Sequence, residues 1–97
     1  MLTYKAMYKY LDDAVPAVHA EVLDFPGVIS LGATLEEARR MLASALVDMA
    51  ETDLLEGRAL PQPDPTVGDP EADIEEPIHL LLTATSFVAY VPQRVVA

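Results

Sequence analysis

With 97 residues the chain is sized for one domain built around a single modest core. Six basic against sixteen acidic residues give a formal charge of −10, which opposes the phosphate backbone on which nucleic-acid affinity rests and speaks against nucleic-acid binding by this chain alone. The absence of cysteine excludes a disulfide framework and a thiolate metal site. Met1-Leu2-Thr3-Tyr4-Lys5 is no apolar leader and no run approaches about 18 apolar residues, so a cytoplasmic protein without a membrane span is expected.

Residues 2–11 alternate, with Leu2, Tyr4, Ala6, Tyr8 and Tyr10 on one face and Thr3, Lys5, Met7 and Lys9 on the other, the pattern of a half-buried strand. Asp12 to Pro16 supply turn formers. Residues 17–23 then place Val18, Ala20 and Val22 opposite His19 and Glu21, so the two segments are predicted to pair as an antiparallel hairpin. Asp24-Phe25-Pro26-Gly27 is a strand-end turn: Pro26 fixes its own φ and Gly27 takes a positive φ cheaply. A short third strand, Val28 to Leu31, is closed by Gly32.

Thr34 begins a helix. Its hydroxyl is placed to accept the backbone N–H of Glu37, whose carboxylate is expected to reach back to the Thr34 N–H as a capping box, with Glu36 and Glu37 in the positive first turn. From Leu35 the apolar period changes from two to about 3.6 residues. Leu35, Ala38, Met41, Leu42, Ala45, Leu46 and Met49 form one stripe, Glu36, Arg39, Arg40, Ser44, Asp48 and Glu51 the opposite one. Gly57 is the expected C-terminal cap, and Leu54 and Leu55 predict a last turn that also packs.

Residues 61–77 contain Pro61, Pro63, Pro65, Pro70 and Pro77 among acidic residues, which predicts a stiff, solvated connector within a single domain spanning residues 1–97. Residues 78–91 return to β character as one long strand or two consecutive ones. The order strand, strand, strand, helix, strand is that of an α+β fold: an antiparallel sheet with one amphipathic helix packed on one face.

Candidate chemistry is sparse. His19 and His79 lie on separate strands and lack further ligands at a suitable spacing, so no metal site and no cofactor is expected. Asp12, Asp13, Glu21 and Asp24 are the carboxylates a metal nuclease would need. Their turn and exposed-strand contexts favour ordinary structural roles, and no enzymatic activity is expected. A phosphate-binding glycine loop and a nucleophile elbow are both absent. Tyr4, Tyr8 and Tyr10 with Lys5 and Lys9 would suit single-stranded RNA, but the net charge favours reading the tyrosines as core beneath the helix. Leu80-Leu81-Leu82 carries apolar groups on both faces, expected either to be buried on both sides or to extend the sheet into a second copy; a homodimer or higher homo-oligomer is the expectation.

The ordered set formed by the hairpin, Phe25-Pro26-Gly27, Gly32-Ala33-Thr34-Leu35-Glu36-Glu37-Ala38 and Leu60-Pro61-Gln62-Pro63 resembles the HicB antitoxin family over about residues 2–91, specifically its small N-terminal domain. This resemblance makes Phe25, Pro26, Gly27, Gly32, Thr34, Glu37 and Ala38 the family motif. It implies a degenerate RNase-H-like or double-stranded-RNA-binding-like domain that is not catalytic. It also implies a partner, a small basic HicA-like RNA-cleaving toxin, bound stoichiometrically so that its active site is blocked. Many members add a C-terminal DNA-binding domain; this chain is expected to be without one and to make no direct DNA contact. Acidic residues near the hairpin and the connector, Asp12, Asp13, Glu21, Asp73, Glu75 and Glu76, are the expected partner-binding set. The alternative is a homo-oligomeric structural or RNA-associated module of the same fold without a toxin.

Overall fold

A computed structural model of the chain describes residues 1–82. Four strands and one helix follow in the order β1 (Leu2–Leu11), β2 (Ala17–Val22), β3 (Ile29–Gly32), α1 (Leu35–Leu55) and β4 (Ile74–Leu80). All neighbours are antiparallel in an open sheet of order β3-β2-β1-β4, so the long first strand lies inside and β3 and β4 form the edges. This is the expected α+β architecture.

The helix-facing side of the sheet follows from the alternation. Tyr4, Ala6 and Tyr8 of β1 and Val18, Ala20 and Val22 of β2 are buried against Ala38, Leu42, Leu46 and Ala50 of α1. Phe25 and Val28 from the turn close the same core, Phe25 meeting the Tyr4 ring edge-on with centroids 5.3 Å apart. Two side chains depart from the predicted stripes. Tyr10 is 52% exposed because it lies at the end of β1 next to the hairpin, and Met41 is 47% exposed because the contact stripe of α1 runs through Ala38, Leu42 and Leu46.

The helix is capped at both ends by local chemistry. The Glu37 N–H donates to Thr34 Oγ1 at 3.1 Å, as the sequence predicts. Its carboxylate, however, accepts from the Ala33 N–H at 3.0 Å rather than from Thr34, closing the loop one residue earlier. At the other end the Gly57 N–H donates to the Leu54 carbonyl and the Arg58 N–H to the Asp53 carbonyl, with Gly57 at φ 80°, a Schellman arrangement that satisfies carbonyls the helix leaves open. Leu54 is half-buried, whereas Leu55 is exposed.

The last described strand differs most from the sequence pattern. β4 begins at Ile74, four residues before the predicted start, so Glu75, Glu76 and Pro77 belong to the sheet and the connector ends at residue 73. Pro77 pairs with Lys5 in an edge strand, and an edge tolerates a missing donor because alternate N–H groups point away from the partner. Leu80 is buried in the core, while Leu81 and Leu82 follow the strand and are exposed. The remainder of the predicted strand, residues 83–91, lies outside the described residues.

Candidate functional site

On the sheet face away from α1, β1 presents Thr3, Lys5, Met7 and Lys9. Met7 is only 3% exposed even though it points away from the helix, because the connector returns across this face. Most residues of that segment are exposed, as expected, while its backbone and Glu71 are tied to β1. Lys5 Nζ donates to the Val67 carbonyl at 2.7 Å and to the Pro65 carbonyl at 3.3 Å, and Lys9 Nζ pairs with Glu71 at 2.6 Å. The Asp73 N–H donates to the Tyr8 carbonyl, and the Asp73 carboxylate accepts from the Tyr10 N–H at 2.7 Å.

Asp24 joins three segments at one point. Its Oδ1 accepts from the Lys5 N–H at 2.8 Å and its Oδ2 from the Asp64 N–H at 2.9 Å, so the turn before β3 is tied to β1 and to the connector. The Tyr4 hydroxyl, donating to the Pro61 carbonyl at 2.7 Å, adds a second tie. Burial, and then the nearby Asp24 charge, push the Tyr4 phenol above its ordinary pKa.

These contacts leave a cleft of about 610 Å³ between the connector and the β1–β4 pair. It is lined by Pro63, Pro65 and Pro77, by Thr3, Tyr4 and Lys5 of β1, and by the acidic residues Asp24, Asp64, Glu75 and Glu76. Glu75 is oriented by the Asp69 N–H, which donates to Oε2 at 3.0 Å; its Oε1 has Lys5 Nζ only at 3.8 Å, beyond hydrogen-bond range. Asp64 Oδ1 accepts from both the N–H and the hydroxyl of Thr66. Those two bonds hold the Asp64 carboxyl below its usual range.

The acidic residues expected to bind a partner do not form one patch. Asp12 and Asp13 are exposed at the hairpin tip. Glu21 and Glu75 share the sheet face away from α1, each opposite Met7 from its own strand. Glu76 points the other way and forms a two-bond ion pair with Arg39 of α1, whose guanidinium lies 5.7 Å from the centroid of the Tyr8 ring. Burial and then the Glu76 charge push the Tyr8 phenol up. Asp73 is engaged by the β1 backbone, as described. The aromatic platform fails for the same reason of facing: Tyr4 and Tyr8 are buried under the helix and both lysines are held by the connector.

Among the described residues no three His, Asp or Glu side chains converge as a metal site. His19 approaches Glu21 at 3.4 Å, and His79 Nδ1 lies 3.0 Å from the Thr3 hydroxyl across the strand pair. No described helix is long and apolar enough to cross a membrane. Sequence reasoning missed Thr3, Lys5, Asp64 and the three prolines as cleft residues. The available signal was the proline spacing itself, which gives a rigid wall, but the opposite wall lies some sixty residues away in sequence.

No family model and no curated protein matches the chain. Solved structures do. The crystal structure of the N-terminal domain of the Burkholderia pseudomallei antitoxin HicB aligns with 84% of this chain and 100% of its own, at a TM-score of 0.69 and 24% identity. That of the Burkholderia pseudomallei antitoxin HicB aligns with 100% of this chain and 73% of its own, at a TM-score of 0.72 and 24% identity. The packed sheet and helix, with the connector returning across the sheet, thus have the fold of the HicB antitoxin N-terminal domain.

Proposed function

We propose that this chain is an antitoxin that binds a small, basic, RNA-cleaving toxin of the HicA type stoichiometrically and occludes its active site in the cytoplasm, without catalysis or DNA contact of its own. The observation that carries this reading is the correspondence with the HicB N-terminal domain over all of that domain's length. A charge of −10 supports it, since an acidic surface attracts an RNA-binding protein while competing poorly for RNA. Co-expression with the neighbouring open reading frame tests it. The expected outcome is co-purification and relief of growth arrest; a toxic neighbour that this chain neither binds nor silences sinks the reading. Reversing Asp12, Asp13 and Glu21 together is expected to slow association, more at low salt than at high, as stopped-flow measurements would show.

The second reading, a homo-oligomeric module without a toxin, draws on β3. This edge strand exposes Ile29 and Leu31, and an uncovered apolar edge is a template for pairing with another chain. A homodimer is compatible with either reading. Sedimentation showing a monomer at all concentrations removes the homo-oligomer and leaves the antitoxin proposal in place.

A further inference from the structure

We propose that the cleft between the connector and the β1–β4 pair takes an arginine side chain presented by a partner protein. The inference rests on the antitoxin reading only for who that partner is; the ligand chemistry is argued from the cleft.

The volume of about 610 Å³ lies in the range of ligand sites, and like them the cleft is mostly apolar with a few polar groups in its lining. Its prolines offer flat, rigid walls with no donor to satisfy, which suits a side chain with an aliphatic stem and a planar, weakly hydrated head. Most of its charged lining groups are carboxylates. Lys5, the one cation among the described lining residues, already has two carbonyls on its ammonium and stands 3.8 Å from Glu75 Oε1, beyond hydrogen-bond range. Glu75 is held in place through Oε2 and has no hydrogen-bond donor on Oε1 among the described residues, and Asp64 is likewise held through Oδ1 with Oδ2 free of such a donor. Two oriented carboxylates, each with an oxygen to spare, complement a guanidinium with its fork of N–H donors. A phosphate or carboxylate ligand would meet repulsion instead.

The test titrates the isotope-labelled full chain with N-acetyl-arginine methylamide, against N-acetyl-norleucine methylamide as the uncharged probe, and follows backbone amides by NMR. Saturable shifts at Thr3, Lys5, Asp64 and Glu75 are expected with the arginine probe and not with norleucine. The double variant Asp64→Asn, Glu75→Gln keeps size while removing charge and turning one acceptor oxygen of each group into an amide donor, and is expected to weaken binding at least roughly tenfold, since hydrogen bonds to charged groups are about twice as strong as neutral ones. Thr3→Arg places a tethered guanidinium at the cleft and is expected to abolish the response, a check that holds if the double variant does not fold. Equal shifts with both probes, no shifts, or a full response in Thr3→Arg overturns the proposal. With a toxic neighbour in hand the two readings separate. A toxin bound equally well by wild type and both variants overturns the cleft as its contact while the antitoxin function stands. Failure of every form to bind toxin sinks that function, and the arginine titration then decides the cleft alone.

Discussion

Gly32 ends β3 where the chain must pass directly beneath the first turn of α1. A Cβ at this position would sit 2.5 Å from the Ala38 backbone nitrogen and 2.8 Å from its Cα, so the opposing atoms are helix backbone and cannot rotate away. Gly32→Ala is therefore expected to lower stability by about 1–3 kcal/mol through displacement of the helix, measured as a reduced urea midpoint. Gly27 is constrained differently: it adopts φ 93°, as its Pro-Gly turn predicts, and the nearest obstacle is a flexible methionine end. Asp24 matters through hydrogen bonding. Replacing it with Ala strands the N–H groups of Lys5 and Asp64 in a part-buried site, and a loss of about 2–3 kcal/mol is expected in the same measurement.

At the scale of elements, local sequence specifies most of the framework. The two-residue period of residues 2–11, the turn formers after it and the Thr34 cap lead directly to β1, β2 and the start of α1. The connector and β4 are different, because proline and acidic residues argue against a strand when read locally. What places Ile74-Glu75-Glu76-Pro77 in the sheet is pairing with β1 from Tyr8 back to Lys5, and what fixes the connector is a set of bonds to the lysines of β1. Lys5→Met removes the bonds to Pro65 and Val67 while keeping an apolar stem. Faster proteolysis within residues 61–73 is expected, with little change in the unfolding midpoint of the helix followed by circular dichroism.

For the molecule as a whole, two buried phenols set an alkaline limit. Tyr4 and Tyr8 are each 2% exposed, and burial raises both pKa values above the ordinary 10.0. In the unfolded chain they ionise near that value and in the folded chain higher, so their contribution is fully present below about pH 10 and is lost as the pH rises through the folded pKa. Thermal midpoints should fall above pH 10, and Tyr8→Phe should flatten part of that decline. Charge also operates globally: at −10 the molecule attracts cationic partners from a distance, but the carboxylates serve unlike purposes up close. Glu76 fastens the helix to β4 and Asp73 fastens the connector to β1, while Asp12 and Asp13 stay exposed at the hairpin tip.

The hairpin, the turn at Pro26-Gly27, the helix with its N-cap and the acidic balance were determined by sequence alone, because each depends on residues within a few positions of one another. Gly32 was legible as a break but not as a close approach, and Asp24 as a turn residue but not as a clamp, since their reasons lie in backbone brought near by folding. The same holds for the six acidic residues, whose identity follows from composition but whose facing follows from strand register. The cleft was decided entirely by tertiary structure: prolines 63 and 65 and Lys5 share no local pattern, and they meet only because β4 pairs with β1 and draws the connector back across the sheet.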